Sequence, residues 1–194
     1  MNKFLAMLAF VIGTTAMSFT VNADEYVLDS DASSINFATI KKAYTVEPAN
    51  LTNVEGKLDD DGAFSITSPL SSISTGIPIR DERLNALFFN AQSFPTLSVA
   101  GTFPMDEVEK SGRQMQVSLP VKVTLHGKTV EVNFDVNVLK LGDTLVAYTY
   151  KPTIISGSSF GIPTENLNKL AETVGSIPLS DTVPVNVSLV FNKK

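Results

Sequence analysis

The clearest pattern in this chain is a strict alternation of apolar and polar residues between positions 117 and 138. In its first half, one face carries only apolar side chains: Val117, Leu119, Val121, Val123 and Leu125. After an interruption at Gly127 the alternation resumes, again with one apolar face: Val130, Val132, Phe134, Val136 and Val138. Alternation with a period of two predicts a β-strand with one buried face. The two runs, joined by a turn that contains glycine, therefore predict a long antiparallel hairpin.

Weaker versions of this pattern recur along the rest of the chain. They predict strands near residues 26–28, 35–37, 54–58, 63–67, 97–103, 144–153 and 183–191. Two segments, 80–90 and 164–174, instead have apolar residues three and four positions apart, which predicts short helices, the second with Thr164 as its N-cap. The predicted fold is all-β: an antiparallel barrel of about eight strands with two short helices. Alternation alone does not separate a barrel from a β-sandwich, so that alternative stays open.

The first residues follow the pattern of a secretory signal peptide. Lys3 supplies a positive charge, residues 4–12 are uniformly apolar, and Val21 and Ala23 are small residues suited to a signal peptidase. We therefore expect a signal peptide at 1–23 with cleavage after Ala23, a mature domain at 24–194, and export to the periplasm. The apolar run is shorter than the roughly 20 residues that span a bilayer, and we expect no transmembrane segment in the mature chain.

Composition narrows the chemistry that such a barrel could perform. The chain has 194 residues, no cysteine and one histidine, which excludes thiol nucleophiles, disulfides and zinc sites built from cysteines or several histidines. Asp and Glu total 20 against 15 Lys and Arg, so the net charge is −5. Because nucleic acids are bound through clustered basic residues, we expect no nucleic-acid partner. We also expect no cofactor and no metal.

Two places that could carry chemistry are better explained as turns. His126 is the only side chain that ordinarily titrates near neutral pH, and it lies beside Gly127 where the hairpin turns. The run from Asp59 to Gly62 lacks the ligand spacing of a calcium loop, whereas Asp-Gly is a strong hairpin signal. A small hydrolase that uses His126 or a pair of carboxylates stays open as an alternative.

Apolar and aromatic residues are also concentrated outside the predicted strands. They are Ile77, Ile79, Leu84, Leu87, Phe88, Phe89, Phe94, Phe160 and Ile162. A small barrel that its own side chains do not fill offers an apolar cavity, and these residues could line its mouth. They could also complete an ordinary core, and periodicity alone favours that simpler explanation.

The stretch from Ser74 to Pro95 combines a distinctive set of residues: Ser74, Thr75, Gly76, Arg80, Asp81, Leu84, Phe88, Phe89, Phe94 and Pro95. With this set, the stretch resembles the YceI-like family. The resemblance continues in weaker matches at the start of the mature chain, at the hairpin turn and around Phe160, and so covers residues 25–192. The resemblance implies a lipocalin-like antiparallel barrel, usually periplasmic, with a long apolar cavity for polyisoprenoids or other long-chain amphiphiles.

The resemblance also implies particular site residues. Those expected to line the cavity are Phe37, Phe64, Leu84, Leu87, Phe88, Phe89, Phe94, Val121, Val123, Phe134, Phe160 and Val187. Arg80 and Asp81 are expected at the rim, where they would either contact a head group or hold the helix onto the barrel. Two histidines common in the family are absent: Ser33 replaces one, and the segment at 41–43 is Lys-Lys-Ala where the other occurs.

We therefore expect a non-catalytic periplasmic carrier for a long-chain amphiphile such as a polyisoprenoid or quinone-like lipid. Because some family genes neighbour a cytochrome of the b561 type, the resemblance also implies such a membrane protein as a partner. The main alternative is a periplasmic interaction or stress protein with a filled core that supports a membrane redox system.

Overall fold

Twelve β-strands and three α-helices make up residues 25–194, the part of the chain that the computed structural model describes. The strands are β1 (Glu25–Leu28), β2 (Ser34–Lys41), β3 (Thr45–Leu51), β4 (Glu55–Asp59), β5 (Ala63–Pro69), β6 (Ile73–Ser74), β7 (Thr96–Thr102), β8 (Gln114–Leu125), β9 (Lys128–Leu141), β10 (Thr144–Thr149), β11 (Thr153–Ser156) and β12 (Thr182–Lys193). The helices are α1 (Pro78–Arg83), α2 (Met105–Ser111) and α3 (Thr164–Glu172), with a π-helical turn at Leu84–Phe88 and 3₁₀ turns at Leu70–Ser72 and Gly157–Phe160. The predicted signal peptide, residues 1–23, lies outside the described residues.

The strands form one antiparallel sheet that closes on itself. The closing strand is β12, because Phe191 lies opposite Leu145 of β10 on one side and opposite Leu28 of β1 on the other. The pairings around the ring give the order β1-β4-β5-β7-β8-β9-β10-β12, a closed barrel of eight strands. The predicted antiparallel barrel is therefore confirmed, and the β-sandwich, which would have left two separate sheets, is excluded.

Four further strands lengthen the barrel wall at one end. Further along β12, β2 replaces β1 as the neighbouring strand. Ser188 of β12 pairs with Ser34 of β2 on one side and with Tyr148 of β10 on the other. In the same way, β11 replaces β10 on the other side of β12, with Thr153 opposite Val185. β3 pairs with β2, and β6 pairs with β3. The wall therefore extends beyond the eight-stranded ring, toward the turn between β2 and β3.

The predicted hairpin is confirmed as β8, with 12 residues, and β9, with 14 residues. Leu125 pairs with Lys128, so His126 and Gly127 alone form the turn. Both have positive φ, 51° and 74°. Two successive residues with positive φ are typical of a type I′ turn, whose twist matches that of the flanking strands. His126 is thus a turn residue, as its place beside glycine predicts.

The strand directions define two ends of the barrel. The mouth contains the turn between β2 and β3, the α1 segment, the His126 turn and residues 157–181. The far end contains the turn at 59–62, helix α2 and the turn between β9 and β10. The Phe103 amide donates to the Gly62 carbonyl at 2.7 Å, which joins the turn at 59–62 to the segment before α2, and an ion pair ties α2 to β9.

The acidic run at 59–62 is a hairpin turn, as predicted. The side chain of Asp59 accepts a hydrogen bond from the Ala63 amide at 2.8 Å, and its carbonyl accepts one from the Gly62 amide at 3.0 Å. Gly62 has a φ of 85°. Asp59 therefore closes the turn with both its side chain and its backbone.

The two predicted helices form with different boundaries. The segment at 80–90 is α1 followed by the π-helical turn. In α3, Thr164 is the first helical residue rather than the N-cap, and Pro163 occupies the cap position with no side-chain hydrogen bond. Helix α2 is absent from the prediction. Its seven residues include one buried side chain, Val108, so the repeating apolar positions that reveal a helix are missing.

Candidate ligand cavity

The inside of the barrel is an apolar cavity of about 680 Å³. Much of its wall is valine: Val99, Val121, Val123, Val136, Val138, Val183, Val185 and Val187. An eight-stranded barrel is just wide enough either to be filled by its side chains or to hold one small ligand. Because so many inward positions carry short β-branched side chains, the interior of this barrel stays partly unfilled.

The structure places ten of the twelve apolar residues predicted for the cavity on its wall. They are Phe37, Phe64, Leu84, Phe88, Phe89, Val121, Val123, Phe134, Phe160 and Val187. Arg80 lines the cavity as well, at the mouth. Phe88 and Phe89 pack edge to face, with ring centres 4.8 Å apart. Contact of these residues with a ligand stays a prediction.

Three other predicted residues are not on the wall of this cavity. The ring of Phe94 packs against the ring of His126, with centres 4.2 Å apart, and so supports the hairpin turn. Asp81 accepts hydrogen bonds from the amide and the hydroxyl of Thr75, at 2.9 and 2.5 Å, which ties α1 to the preceding segment. Leu87 is half-buried in the π-helical turn. The contacts of Asp81 are therefore structural: they hold the helix in place and do not point to a role in contacting a head group.

Helix α3 and the segment after it supply a part of the wall that the sequence prediction missed. The residues are Leu167, Leu170, Val174, Ile177 and Leu179. The side-chain amide of Asn166 donates to the Phe88 carbonyl at 2.9 Å, and Arg83 donates to the Thr173 carbonyl at 3.3 Å. These bonds hold α3 against the α1 segment over the mouth. The helical spacing of its leucines is the signal that could have identified α3 as part of the wall.

Among residues 25–194, five charged residues line the cavity, and all belong to the mouth: Lys41, Lys42, Glu47, Arg80 and Asp181. The carboxylate of Glu47 forms an ion pair with Lys41 through one oxygen and accepts a bond from Nη1 of Arg80, at 3.1 Å, through the other. The Lys41 and Arg80 side chains are 31% and 24% exposed, so this cluster sits at the boundary between water and the apolar interior.

Both partners stabilise the charged form of Glu47. The hydrogen bond from Lys41, followed by that from Arg80, lowers the pKa of the Glu47 carboxyl below its ordinary value. Glu47 is therefore ionised at neutral pH. The pairing of β2 with β3 brings Lys41 close to Glu47, because Lys41 lies opposite Thr45, two residues away. Arg80 lies in helix α1, far from Glu47 in the sequence. Its contact with Glu47 could therefore not be predicted from nearness in the sequence.

Asp181 is held by a second set of bonds at the mouth. One oxygen accepts bonds from the Ser156 hydroxyl at 2.7 Å and the Ser158 amide at 3.2 Å, and the other accepts one from the Thr182 hydroxyl at 3.1 Å. The Ser156 bond is the largest cause that lowers the pKa of the Asp181 carboxyl. This carboxylate is thus ionised and bound by residues 156–158 and by the adjacent Thr182.

The part of the chain from residue 25 to residue 194 has no helix with the length and apolar character that crossing a membrane requires. It also has no group of three or more His, Cys, Asp or Glu side chains arranged to hold a metal ion.

The closed antiparallel barrel with an apolar interior defines a lipocalin-like fold. Its family is shown by the sequence as a whole: the chain belongs to the YceI-like domain family, whose profile matches residues 26–191. The resemblance seen in the segment from Ser74 to Pro95 is therefore confirmed. No curated protein matches the chain.

Solved structures share the fold. A polyisoprenoid-binding domain from Saccharophagus degradans, implicated in plant cell wall breakdown, is 23% identical with a TM-score of 0.80, and the match covers 87% of this chain and 98% of that one. BcnA from Burkholderia cenocepacia is 19% identical with a TM-score of 0.64, over 84% of this chain and 98% of that one. At these identities the likeness establishes a common architecture.

Proposed function

We propose that this protein binds a long-chain amphiphile, such as a polyisoprenoid or a quinone-like lipid, with the apolar tail inside the barrel. The observation that carries the proposal is an apolar cavity of about 680 Å³ whose charged lining residues all belong to the mouth. A site divided in this way matches a molecule with an apolar tail and a polar head. The similar domain from S. degradans is described as polyisoprenoid-binding, which supports the same ligand class.

The driving force would be the removal of apolar surface from water. Each Å² of apolar surface buried contributes roughly 25 cal/mol, reduced by the cost of ordering the tail. The barrel is also long. The 14 residues of β9, at roughly 3.3 Å per residue and a tilt of about 40°, correspond to about 35 Å along the barrel axis. A tail of many carbons fits these dimensions.

We further propose that the protein is a carrier and not an enzyme. A Ser-His-Asp hydrolase needs its histidine beside the bound substrate. His126 instead packs on Phe94 in a turn and does not line the cavity. The filled core of the interaction-protein alternative is disfavoured by the open interior. The proposal also includes export to the periplasm after cleavage at Ala23 and a b561-type cytochrome as the membrane partner.

The first test is organic extraction of the purified protein, followed by mass spectrometry. We expect a long-chain amphiphile in amounts comparable to the protein. A matched pair of variants then asks whether the barrel interior holds it. Ala147 of β10 lines the cavity, whereas its neighbour Val146 does not and points to the opposite face. Ala147→Trp should fill the cavity and remove the bound lipid, and Val146→Trp should leave it in place.

Repeated extraction without any lipid, together with no uptake of a long-chain polyene probe, would contradict the proposal. Equal lipid content in the two variants would also contradict it, since the ligand would then lie outside the barrel. Circular dichroism and thermal unfolding serve as controls that both variants fold. Val187→Phe, on the adjacent strand, is a smaller insertion into the same cavity if Ala147→Trp does not fold.

A further inference from the structure

We propose that the mouth of the barrel selects amphiphiles whose head group is an oxyanion, a phosphate or a carboxylate, over neutral alcohols with the same tail. The inference rests on the proposed lipid binding and adds to it the chemistry of the head group. Its basis is the mouth cluster, which we define as Lys41, Lys42, Glu47 and Arg80. These are charged residues that border an otherwise largely apolar wall.

The charges along the cavity favour an anion. Three of the five charged lining residues are basic, although the chain as a whole has a net charge of −5. The two acidic residues already have partners: Glu47 is bound by Lys41 and Arg80, and Asp181 is bound by hydroxyl and amide groups of residues 156–158. The lining therefore has a net positive charge, while the rest of the chain is acidic.

The basic side chains also retain donors that Glu47 does not use. Arg80 donates to Glu47 through Nη1 alone, so Nη2 and Nε have no partner among residues 25–194. A guanidinium has five N–H groups and an ammonium has three, so Lys41 has unused donors as well. The side chain of Lys42 has no partner among the same described residues. A phosphate or carboxylate could thus be bound without breaking the contacts of Glu47.

The position of the cluster explains why the head group would matter. A tail in the barrel leaves its head at the mouth, next to side chains that are a quarter to a third exposed. Hydrogen bonds between ionised partners are about twice as strong as neutral ones, and they weaken less where water is partly excluded. A neutral hydroxyl gains only the weaker bonds. We therefore expect the anionic amphiphile to bind roughly tenfold more tightly than its neutral analogue.

A titration with matched ligands tests this inference. The probes are geranylgeraniol and geranylgeranyl phosphate, and oleyl alcohol and oleic acid, each below its aggregation concentration and each competing with a bound fluorescent polyene. The two pairs separate a phosphate from a carboxylate head. The protein is the mature chain as wild type, Lys41→Gln and Arg80→Gln. The matched control is Lys57→Gln, because Lys57 pairs with Glu25 at the far end and does not line the cavity.

We expect wild type and Lys57→Gln to prefer at least one anion roughly tenfold. The mouth variants should lose most of that preference, because their affinity for the anions falls much more than their affinity for the alcohols. A preference in only one pair identifies the head group as phosphate or as carboxylate. Equal affinity for anion and alcohol in both pairs would overturn the inference, as would an equal loss for both in the mouth variants or the same selective loss in Lys57→Gln. If neither alcohols nor anions bind, the proposed lipid binding itself is wrong.

Discussion

Two charged clusters, one at each end of the barrel, have nearly the same local chemistry. At the mouth, two basic side chains hold the carboxylate of Glu47. At the far end, Lys57 at 2.7 Å and Lys194 at 3.7 Å hold the carboxylate of Glu25. In both clusters a hydrogen bond from a lysine is the largest cause that lowers the pKa of the glutamate carboxyl. Their chemistry alone does not tell one from the other.

The surroundings of the two clusters differ. Glu47 and its partners border the cavity, whereas Glu25 and Lys57 do not. At the far end, the ion pairs join β1 to β4 and to the end of β12, so they are contacts between neighbouring strands. The comparison shows that a cluster of charge becomes a candidate binding group through its place beside an apolar cavity, and not through its residue types.

The turns at the two ends differ as well. At the far end, the residues with positive φ are glycines, Gly62 at 85° and Gly142 at 64°. At the mouth, the turn between β2 and β3 has positive φ at Lys42, 55°, and Ala43, 64°. A side chain in this conformation costs roughly 1–2 kcal/mol. The mouth turn therefore retains backbone strain beside a residue that lines the cavity, while the far-end turns avoid it.

The largest expected effect is on the free energy of unfolding, when a leucine in the tightly packed core is shortened and compared with a leucine on the cavity wall. Leu28 of β1 is 6% exposed and does not line the cavity, whereas Leu97 of β7 is half-buried and does. Leu28→Ala should lower the free energy of unfolding by about 3 kcal/mol. Leu97→Ala should cost less than half as much, because part of its side chain already borders empty space. Urea unfolding measures both. Equal losses would mean that the interior is packed alike at both positions.

The next prediction compares the turns. A Cβ on Gly62 would lie 1.9 Å from the Phe103 carbonyl oxygen, whereas a Cβ on Gly142 would meet nothing within 4 Å. Gly62→Ala should therefore destabilise the protein by roughly 2 kcal/mol or more, and Gly142→Ala by about 1 kcal/mol. Ala43→Gly should have the opposite sign and stabilise by about 0.5 kcal/mol, since the relief of strain exceeds the added freedom of the unfolded chain. Thermal unfolding of the three variants checks the order.

The smallest effect concerns acid stability. The pKa of Glu25 and that of Glu47 are both below the ordinary value of 4.5 in the folded chain. Each carboxylate therefore contributes stability above about pH 4.5, and that contribution is lost as the pH falls through the lower folded pKa. Glu25→Gln and Glu47→Gln should each flatten the decline of the melting temperature below that pH, because glutamine does not titrate.

The same two variants sharpen the comparison of the clusters. Without lipid, the flattening should be similar in both, since the two carboxylates have similar partners. Lipid binding should change only in Glu47→Gln, because Glu25 is remote from the cavity. A change of lipid affinity of equal size in Glu25→Gln would show that the mouth has no special role. Melting curves between pH 3 and 7, with and without ligand, supply both measurements.

Much of the fold could be predicted because its signals are local. The alternation in β8 and β9 shows which side chains face inward, and the glycine after His126 marks the turn. Helix α2 could not be predicted, because its single buried residue, Val108, gives no periodic pattern. Phe94 is a large aromatic residue like several that line the cavity, but its ring packs on the ring of His126 instead. An apolar side chain near the mouth has several possible partners, and local sequence does not choose among them.

The sequence by itself determined that this chain forms antiparallel strands with many small side chains on their apolar face, because alternation and residue size are local properties. Only the tertiary structure decided that the strands close into a barrel, that its interior stays open, that α3 forms part of the wall, and that the charged residues lining the cavity lie at one end. These outcomes depend on contacts such as that between Glu47 and Arg80, which are 33 positions apart in the chain. A contact of this kind exists only once the closed barrel has brought the β2–β3 turn and the α1 segment to the same end.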